Sequence, residues 1–294
     1  MPVDSWYIST IVSAFGLGLY DICKKHAVKD NSVMPVLFFA TLSGTLFFVF
    51  MSLCSGNTAA VWRTDFTEQL LVAVKSLLVS SSWICVYYAM RELPISLASP
   101  IRSTSPLWTM AGGIIIFREI PTLFQALGMA VILSGYVLFS FFGSREGFPW
   151  KSKGMQLIIS GTLLGAASAL YDKYLLNTLN LAPGMVQFYF SLDMVIFLGA
   201  AWGVRSCFGH HHPFVWRWSI PVTGILLILA DFCYFHAVSV PDAPISMISL
   251  LRRCGSCVIT FGLGVKIFRD INVKRKAAAL VLLIAGAVLL ALAK

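Results

Sequence analysis

Long apolar runs separated by short polar breaks dominate the chain. Each run is close to the ~20 residues that an α-helix needs to cross a hydrocarbon core about 30 Å thick. The runs predict membrane-spanning helices at residues 4–23, 34–54, 69–90, 95–116, 122–142, 154–175, 183–204, 217–238, 243–265 and 273–293. Helices are expected because every backbone polar group must be satisfied inside the bilayer, and the runs lack the alternating polarity of β-barrel strands.

Composition also indicates an integral membrane protein. The 294 residues are 58% hydrophobic and 12% charged, whereas a soluble domain carries roughly 25% charged residues. The net charge of +9 would suggest nucleic acid for a soluble protein. Here the basic residues mostly flank apolar runs as membrane anchors, so no nucleic-acid partner is expected.

Three short segments recur in the same order. Leu19–Asp21 recurs at Leu170–Asp172, Pro94–Ser96 at Pro244–Ser246, and Phe117–Ile120 at Phe268–Ile271, at offsets of 150 or 151 residues. These collinear matches predict a duplicated five-helix unit over 1–145 and 150–294. Because five is odd, the second copy would cross the membrane in the opposite direction. The expected fold is therefore all-α, with ten transmembrane helices as two inverted repeats, as in many secondary transporters.

The segment 88–139 contains a Pro-Ile-Ser helix start, two further prolines, an aromatic-Arg-Glu turn ending in Glu119, and a Gly-rich final helix. The segment 234–290 repeats this pattern with Asp270 in place of the glutamate. The pattern resembles the EamA repeat of the drug/metabolite transporter superfamily. The resemblance implies a ten-helix transporter but no particular substrate, since similar members carry amino acids, metabolites, nucleotide sugars and phosphorylated sugars.

Three arginines, Arg102, Arg252 and Arg253, lie inside predicted spans. A buried guanidinium costs several kcal/mol unless it faces a cavity or a partner. Arg102 and Arg252 are repeat partners, so inverted copies would bring both near the midplane, where they could bind a carboxylate or phosphate. A structural ion pair with an intramembrane acid and snorkelling to the surface are the alternatives.

Four acidic residues are candidates for coupling or gating. Asp193 and Asp231 lie well inside spans, where a carboxylate without a partner would take up a proton; a salt bridge from Asp231 to Arg252 or Arg253 is the alternative. Asp21 and Asp172 precede lysines at a predicted membrane edge and indicate interfacial ion pairs or gate charges. Glu119, in contrast, is expected to clasp nearby backbone or a base and not the substrate.

Aromatic and polar side chains are candidates to line a solute path. The residues are Tyr20, Tyr87, Tyr88, Trp108, Tyr171, Tyr234 and His236. Lipid-facing or core positions are the alternative for each. Pro100 and Pro106 are expected to kink the fourth helix. The GxxxG pairs Gly161/Gly165 and Gly199/Gly203 favour close packing within the monomer over a homodimer.

Other motifs point away from metal, cofactor or enzyme chemistry. Cys254 and Cys257 have CxxC spacing without a second ligand pair, and the His210–His212 cluster is read as a solvated loop. The chain has no P-loop, which argues against an ATP-driven pump without a separate subunit. A membrane-embedded enzyme and a flippase for lipid-linked substrates remain alternatives. The leading hypothesis is a secondary-active transporter of a small anionic or zwitterionic metabolite in the cell membrane, with a proton or another ion as coupling partner.

Orientation is predicted in two conflicting ways. Loops after odd-numbered helices carry most of the lysines and arginines, which places these loops in the cytoplasm and both termini outside. Lys75 and Lys173 are assigned to the opposite side. Resemblance to the transporter family implies the reverse orientation, with the termini inside.

Overall fold

A computed structural model describes residues 5–28, 31–55, 64–92, 101–102, 104–141, 152–207, 213–241, 243–268, 281–282, 284–286 and 288–289. These residues form helices and connecting turns, and no strand occurs among them. The helices are α1 (Ser5–Val28), α2 (Val33–Cys54), α3 (Phe66–Glu92), α4 (Ser105–Phe117), α5 (Leu123–Phe141), α6 (Lys153–Lys173), α7 (Pro183–Cys207), α8 (Ser219–Ser239) and α9 (Ile245–Phe268). A π-helical turn, Tyr174–Thr178, continues α6.

Six of the helices are long and apolar enough to cross a membrane. They are Trp6–Val28, Val33–Cys54, Phe66–Val86, Lys153–Thr178, Pro183–Cys207 and Ser219–Ser239. The apolar helices Ser105–Phe117 and Leu123–Gly135 are shorter. The all-helical multi-pass class predicted from the sequence is confirmed, while the full set of ten spans and their inverted relation stay predictions.

The fourth predicted helix differs from expectation at its start. Pro106 lies in the first turn of α4, directly after Ser105. A proline is tolerated there because the first-turn N–H groups have no intrahelical partner. The helical residues 101–102 are thus separated from α4 just ahead of Pro106; the predicted kink of the fourth helix stays a prediction, and Pro100 lies outside the described residues.

One compact unit comprises Met1–Ser80 and Asp172–Pro241. Within it, α8 packs against α1, α2 and α7. A close crossing joins α8 at Gly224 to α2, where a Cβ on Gly224 would overlap the carbonyl oxygen of Ala40. On the other side of α8, the Ser13 hydroxyl of α1 donates a hydrogen bond of 2.6 Å to the Ala230 carbonyl. Small residues thus let these backbones approach closely, as helices in lipid require.

A second compact unit comprises Ser81–Tyr171 and Asp242–Lys294. The end of α3 packs on α6, where the Ser82 hydroxyl donates to the Gly161 carbonyl at 2.6 Å. An apolar cluster of Val86, Ala89, Met155 and Ile158 lies beside this contact. Helix α9 packs on α4 and α5. Each unit therefore draws helices from both predicted halves, and the division at 145–150 stays a prediction.

The predicted packing role of the GxxxG pairs holds for two of the glycines. A Cβ on Gly161 would lie 3.0 Å from the Ser82 carbonyl oxygen, and one on Gly199 would lie 3.0 Å from the Phe38 ring. A Cβ on Gly203 would meet no described heavy atom within 4 Å. Close packing within the monomer is thus confirmed at Gly161 and Gly199.

Glu119 closes the beginning of α9 within the second unit. Its carboxylate accepts hydrogen bonds from the Ile245 N–H at 2.9 Å, the Ser246 N–H at 3.4 Å and the Ser246 hydroxyl at 3.0 Å. These bonds satisfy donors that the first turn of a helix leaves without partners, and a carboxylate there is favoured by the helix dipole. Arg118, with φ of 55°, turns the chain so that Glu119 can reach α9. The predicted clasp to backbone is confirmed; Asp270 lies outside the described residues.

Candidate functional site

A lysine is buried in the middle of α3. Lys75 lies nine residues after the start of the helix at Phe66, which corresponds to about 14 Å along the axis. It is 1% exposed, and its ammonium forms an ion pair with the Asp172 carboxylate at the end of α6. The charge tally counts Lys75 among the basic residues of one side of the membrane, whereas the structure buries it inside a helix. The helix begins before the predicted span, so the lysine is too deep to count as an anchor.

Two aromatic rings enclose the same ammonium. The Lys75 nitrogen lies 4.3 Å from the ring centroid of Phe190 on α7 and 3.7 Å from that of Phe235 on α8. Both rings are buried, and they stand edge to face with centroids 6.1 Å apart. The Tyr234 hydroxyl hydrogen-bonds to the Asp172 carboxylate. We call Asp172, Phe190, Tyr234 and Phe235 the Lys75 cage.

Two further acids belong to the same unit. Asp231, one turn before Phe235 on α8, lies close enough to interact electrostatically with Asp172 as a like charge. The hydroxyl of Ser76, the residue after Lys75, donates to the Asp193 carboxylate on α7 at 3.2 Å. The structure therefore places Asp172 against Lys75, Asp193 against Ser76 and Asp231 near Asp172. Their predicted roles in coupling or gating stay predictions.

Asp172 differs from its expected surroundings. The sequence places it at a membrane edge beside Lys173, but the residue is 5% exposed and pairs with Lys75, 97 positions away in sequence. Asp21, its predicted repeat partner, is half-buried on α1. Near Asp21, the Lys24 ammonium lies 5.3 Å from the Tyr20 ring centroid. The gate role of Asp21 stays a prediction.

The three arginines lie in the second unit. Arg102 precedes α4, and Arg252 and Arg253 lie on α9; all three are half-buried. The predicted anion site at Arg102 and Arg252, and the alternative bridge to Asp231, stay predictions.

The predicted aromatic and polar candidates are placed in different surroundings. Tyr234 is buried in the Lys75 cage. Trp108 is 49% exposed and donates its indole N–H to the Thr104 hydroxyl at 3.3 Å. Tyr88 and His236 are exposed. Tyr234 is thus the candidate that the structure joins to the buried charges.

A buried amide on α7 was not found from the sequence. Gln187 is 0% exposed, and neither its amide oxygen nor its amide nitrogen has a hydrogen-bond partner among the described residues. It lies one helical turn before Phe190 and so shares a face of α7 with that ring. A buried polar group without partners costs about 1–3 kcal/mol. Gln187 is therefore a second candidate for a solute-binding role.

The buried charges distinguish this region from an ordinary helix interface. Desolvating two charged groups costs several kcal/mol per ion, and well-packed apolar residues would often stabilise the same site as well or better. Ionisable residues inside membrane helices commonly mark solute, ion or proton pathways. Among the described residues, no group of three or more His, Cys, Asp or Glu side chains is arranged to hold a metal ion; His210–His212 lies outside them.

Comparisons with known proteins give a family model and solved structures that this chain resembles. Residues 4–141 match the model of the EamA-like transporter family. A solved crystal structure aligns over 99% of both chains with a TM-score of 0.79 at 14% sequence identity, which shows a shared fold alone. The search of curated proteins gives no match. Residues 4–141 are therefore similar to the EamA-like transporter family, and the described part of the chain has the long apolar helices of a multi-pass membrane protein.

Proposed function

We propose that this protein is a secondary-active transporter that moves a small anionic or zwitterionic metabolite across the cell membrane by alternating access. The observation that carries the proposal is the Lys75–Asp172 ion pair, which is buried among membrane-spanning helices. An ion pair in such a place can be exchanged for charged groups of a solute, because its members already stand desolvated and oriented.

The charged residues divide the proposed roles among them. The Lys75 ammonium would bind the anionic group of the solute, and Arg102, Arg252 and Arg253 would serve the same purpose in the second unit. Asp193 and Asp231 would hold a coupling proton or cation while Asp172 exchanges partners. Alternating access then follows if the intact pair favours one conformation and the solute-bound site favours another. The partners are the bilayer, the solute and a coupling ion.

Uptake into proteoliposomes tests this proposal. We expect one or more members of a panel of labelled anions and zwitterions to accumulate above the level in protein-free vesicles. Arg102→Ala and Arg252→Ala should each lower uptake about tenfold or more, since each removes a half-buried cationic partner of the anion. If Arg102→Ala and Arg252→Ala both transport at the wild-type rate, the proposed anion site at these two arginines is wrong. Movement of labelled lipid without uptake of any soluble solute would refute the transporter proposal in favour of a flippase.

Gln187 allows stability and transport to be separated. Gln187→Leu removes buried polar atoms that bond to no described residue, so we expect the free energy of unfolding to stay level or rise by about 1 kcal/mol. If the amide binds solute, uptake should nevertheless fall about tenfold. Gln156→Leu, at an exposed position on α6, is the matched control and should change neither quantity. Wild-type uptake by Gln187→Leu would remove Gln187 from the solute path.

A further inference from the structure

The Lys75 cage has the composition of a binding site for an ammonium ion. A carboxylate contacts the Lys75 nitrogen, and the faces of Phe190 and Phe235 lie within 4.3 Å of it. Cations bind over aromatic faces through the ring quadrupole, and the attraction grows when water is excluded. The Lys75 side chain thus occupies its own cage as a tethered alkylammonium.

The surroundings of the cage favour exchange over a fixed structural pair. Asp231 places a second carboxylate near Asp172, and the Tyr234 hydroxyl is a further hydrogen-bond partner of the Asp172 carboxylate. The cage residues come from three segments: the end of α6, α7 and α8. The lysine comes from a fourth, α3. A movement of α3 relative to the cage would therefore free the cage for another cation without dismantling its walls.

We propose that the cage is the ammonium-binding site for the transported solute, which displaces Lys75 when it binds. This inference rests on the proposed transport function and narrows its substrate class. The solute carries a primary ammonium, which takes the place of Lys75 at Asp172 and the two rings. The released Lys75 then offers its charge to an anionic group on the same solute. A zwitterion satisfies both members of the opened pair, whereas a simple anion leaves Asp172 without its cation.

Binding of radiolabelled propylammonium to the purified full-length protein in detergent tests the cage. Propylammonium matches the three carbons and the nitrogen that Lys75→Ala removes beyond Cβ. We expect the variant to bind it at least about tenfold more tightly than wild type, because the tethered lysine no longer competes. Wild type should still bind it measurably, since exchange is the proposed event. Adding Asp172→Asn should abolish binding in both backgrounds.

Two chemical controls keep the result specific. Propan-1-ol has the same chain without the charge, and propionate carries the opposite charge; neither should compete with propylammonium. Binding to Lys75→Ala alone would mean that wild type does not exchange its lysine, and it would overturn the proposal. If propylammonium does not bind wild type, the proposal is wrong. This result does not depend on whether Lys75→Ala folds.

The assay separates this inference from the proposed function because it involves no transport. If uptake of an anion succeeds while propylammonium fails to bind wild type, the transporter stands and the ammonium site is wrong. If propylammonium binds wild type in an Asp172-dependent way but no solute accumulates in vesicles, the site stands and the proposed transport function is wrong.

Discussion

Lys75→Met is expected to destabilise the protein by about 3–5 kcal/mol, because it leaves the Asp172 carboxylate buried without its cation. Methionine keeps the length and flexibility of the side chain, so the loss reports charge and not a cavity. Lys75 is 1% exposed and Asp172 is 5% exposed. Water therefore has little access to solvate the carboxylate once its cation is removed. The change should appear as a lower midpoint of unfolding in detergent, followed by tryptophan fluorescence.

A second substitution distinguishes stability from transport. In Lys75→Met combined with Asp172→Asn, neither member is charged, so most of the lost stability should return; the double-mutant cycle should give an interaction energy of a few kcal/mol. Uptake should remain at least about tenfold below wild type in both the single and the double variant. Recovery of transport together with stability would show that the pair serves the fold alone.

Lys24→Met is the matched control for the charge itself. Lys24 is half-buried on α1, and its ammonium lies 5.3 Å from the Tyr20 ring centroid. A partly solvated lysine contributes only ~0–1 kcal/mol, so this variant should unfold close to wild type. If Lys75→Met unfolded like Lys24→Met, the buried ion pair would contribute nothing measurable to stability.

The fold class could be read from the sequence because hydrophobicity alone determines it. Runs of about 20 apolar residues have few structural solutions in lipid, and α2, Val33–Cys54, begins one residue before its prediction and ends at the same position. The predicted end of α1, at residue 23, lies five residues before the end of the helix at Val28. Polar residues such as Asp21 and Lys24 ended the apolar run there, although they continue the helix.

The candidate site could be predicted only in part. Asp172, Asp193, Asp231 and Tyr234 were identifiable because a charge or a polar aromatic inside an apolar run is costly and therefore conspicuous. Lys75 was overlooked because it lies near one end of its predicted span, where a lysine can snorkel to the surface. Its partner is 97 residues away, and no local pattern connects the two. The depth of Lys75 follows only once α3 is seen to begin at Phe66.

Gln187 shows a different limit of sequence reasoning. Glutamine is uncharged, so the residue type alone does not identify Gln187 as a candidate solute-binding residue. Gln187 is identified because its side chain is 0% exposed and its amide has no hydrogen-bond partner among the described residues. That property depends on every neighbouring helix and has no counterpart in the local sequence.

Gly224→Ala is expected to destabilise the first unit by about 3 kcal/mol, toward the upper end for overpacking a close helix contact. The new Cβ would overlap the Ala40 carbonyl oxygen and lie 2.9 Å from the Gly44 nitrogen. Both obstacles are backbone atoms of α2, so no rotamer change can relieve them and the two helices must separate.

Gly203→Ala on α7 is expected to stabilise the protein, in contrast to Gly224→Ala. A Cβ there meets no described heavy atom within 4 Å, so the substitution retains only the gain in helix propensity, about 0.5–1 kcal/mol. Unfolding of both variants in the same detergent measures the contrast. Equal midpoints would show that α2 and α8 do not meet as closely as the structure places them.

Gly203 belongs to a GxxxG pair and Gly224 to none, since positions 220 and 228 are isoleucines. The glycine that sequence spacing singles out should therefore be the dispensable one, because what decides the cost is the backbone across the interface and not the motif.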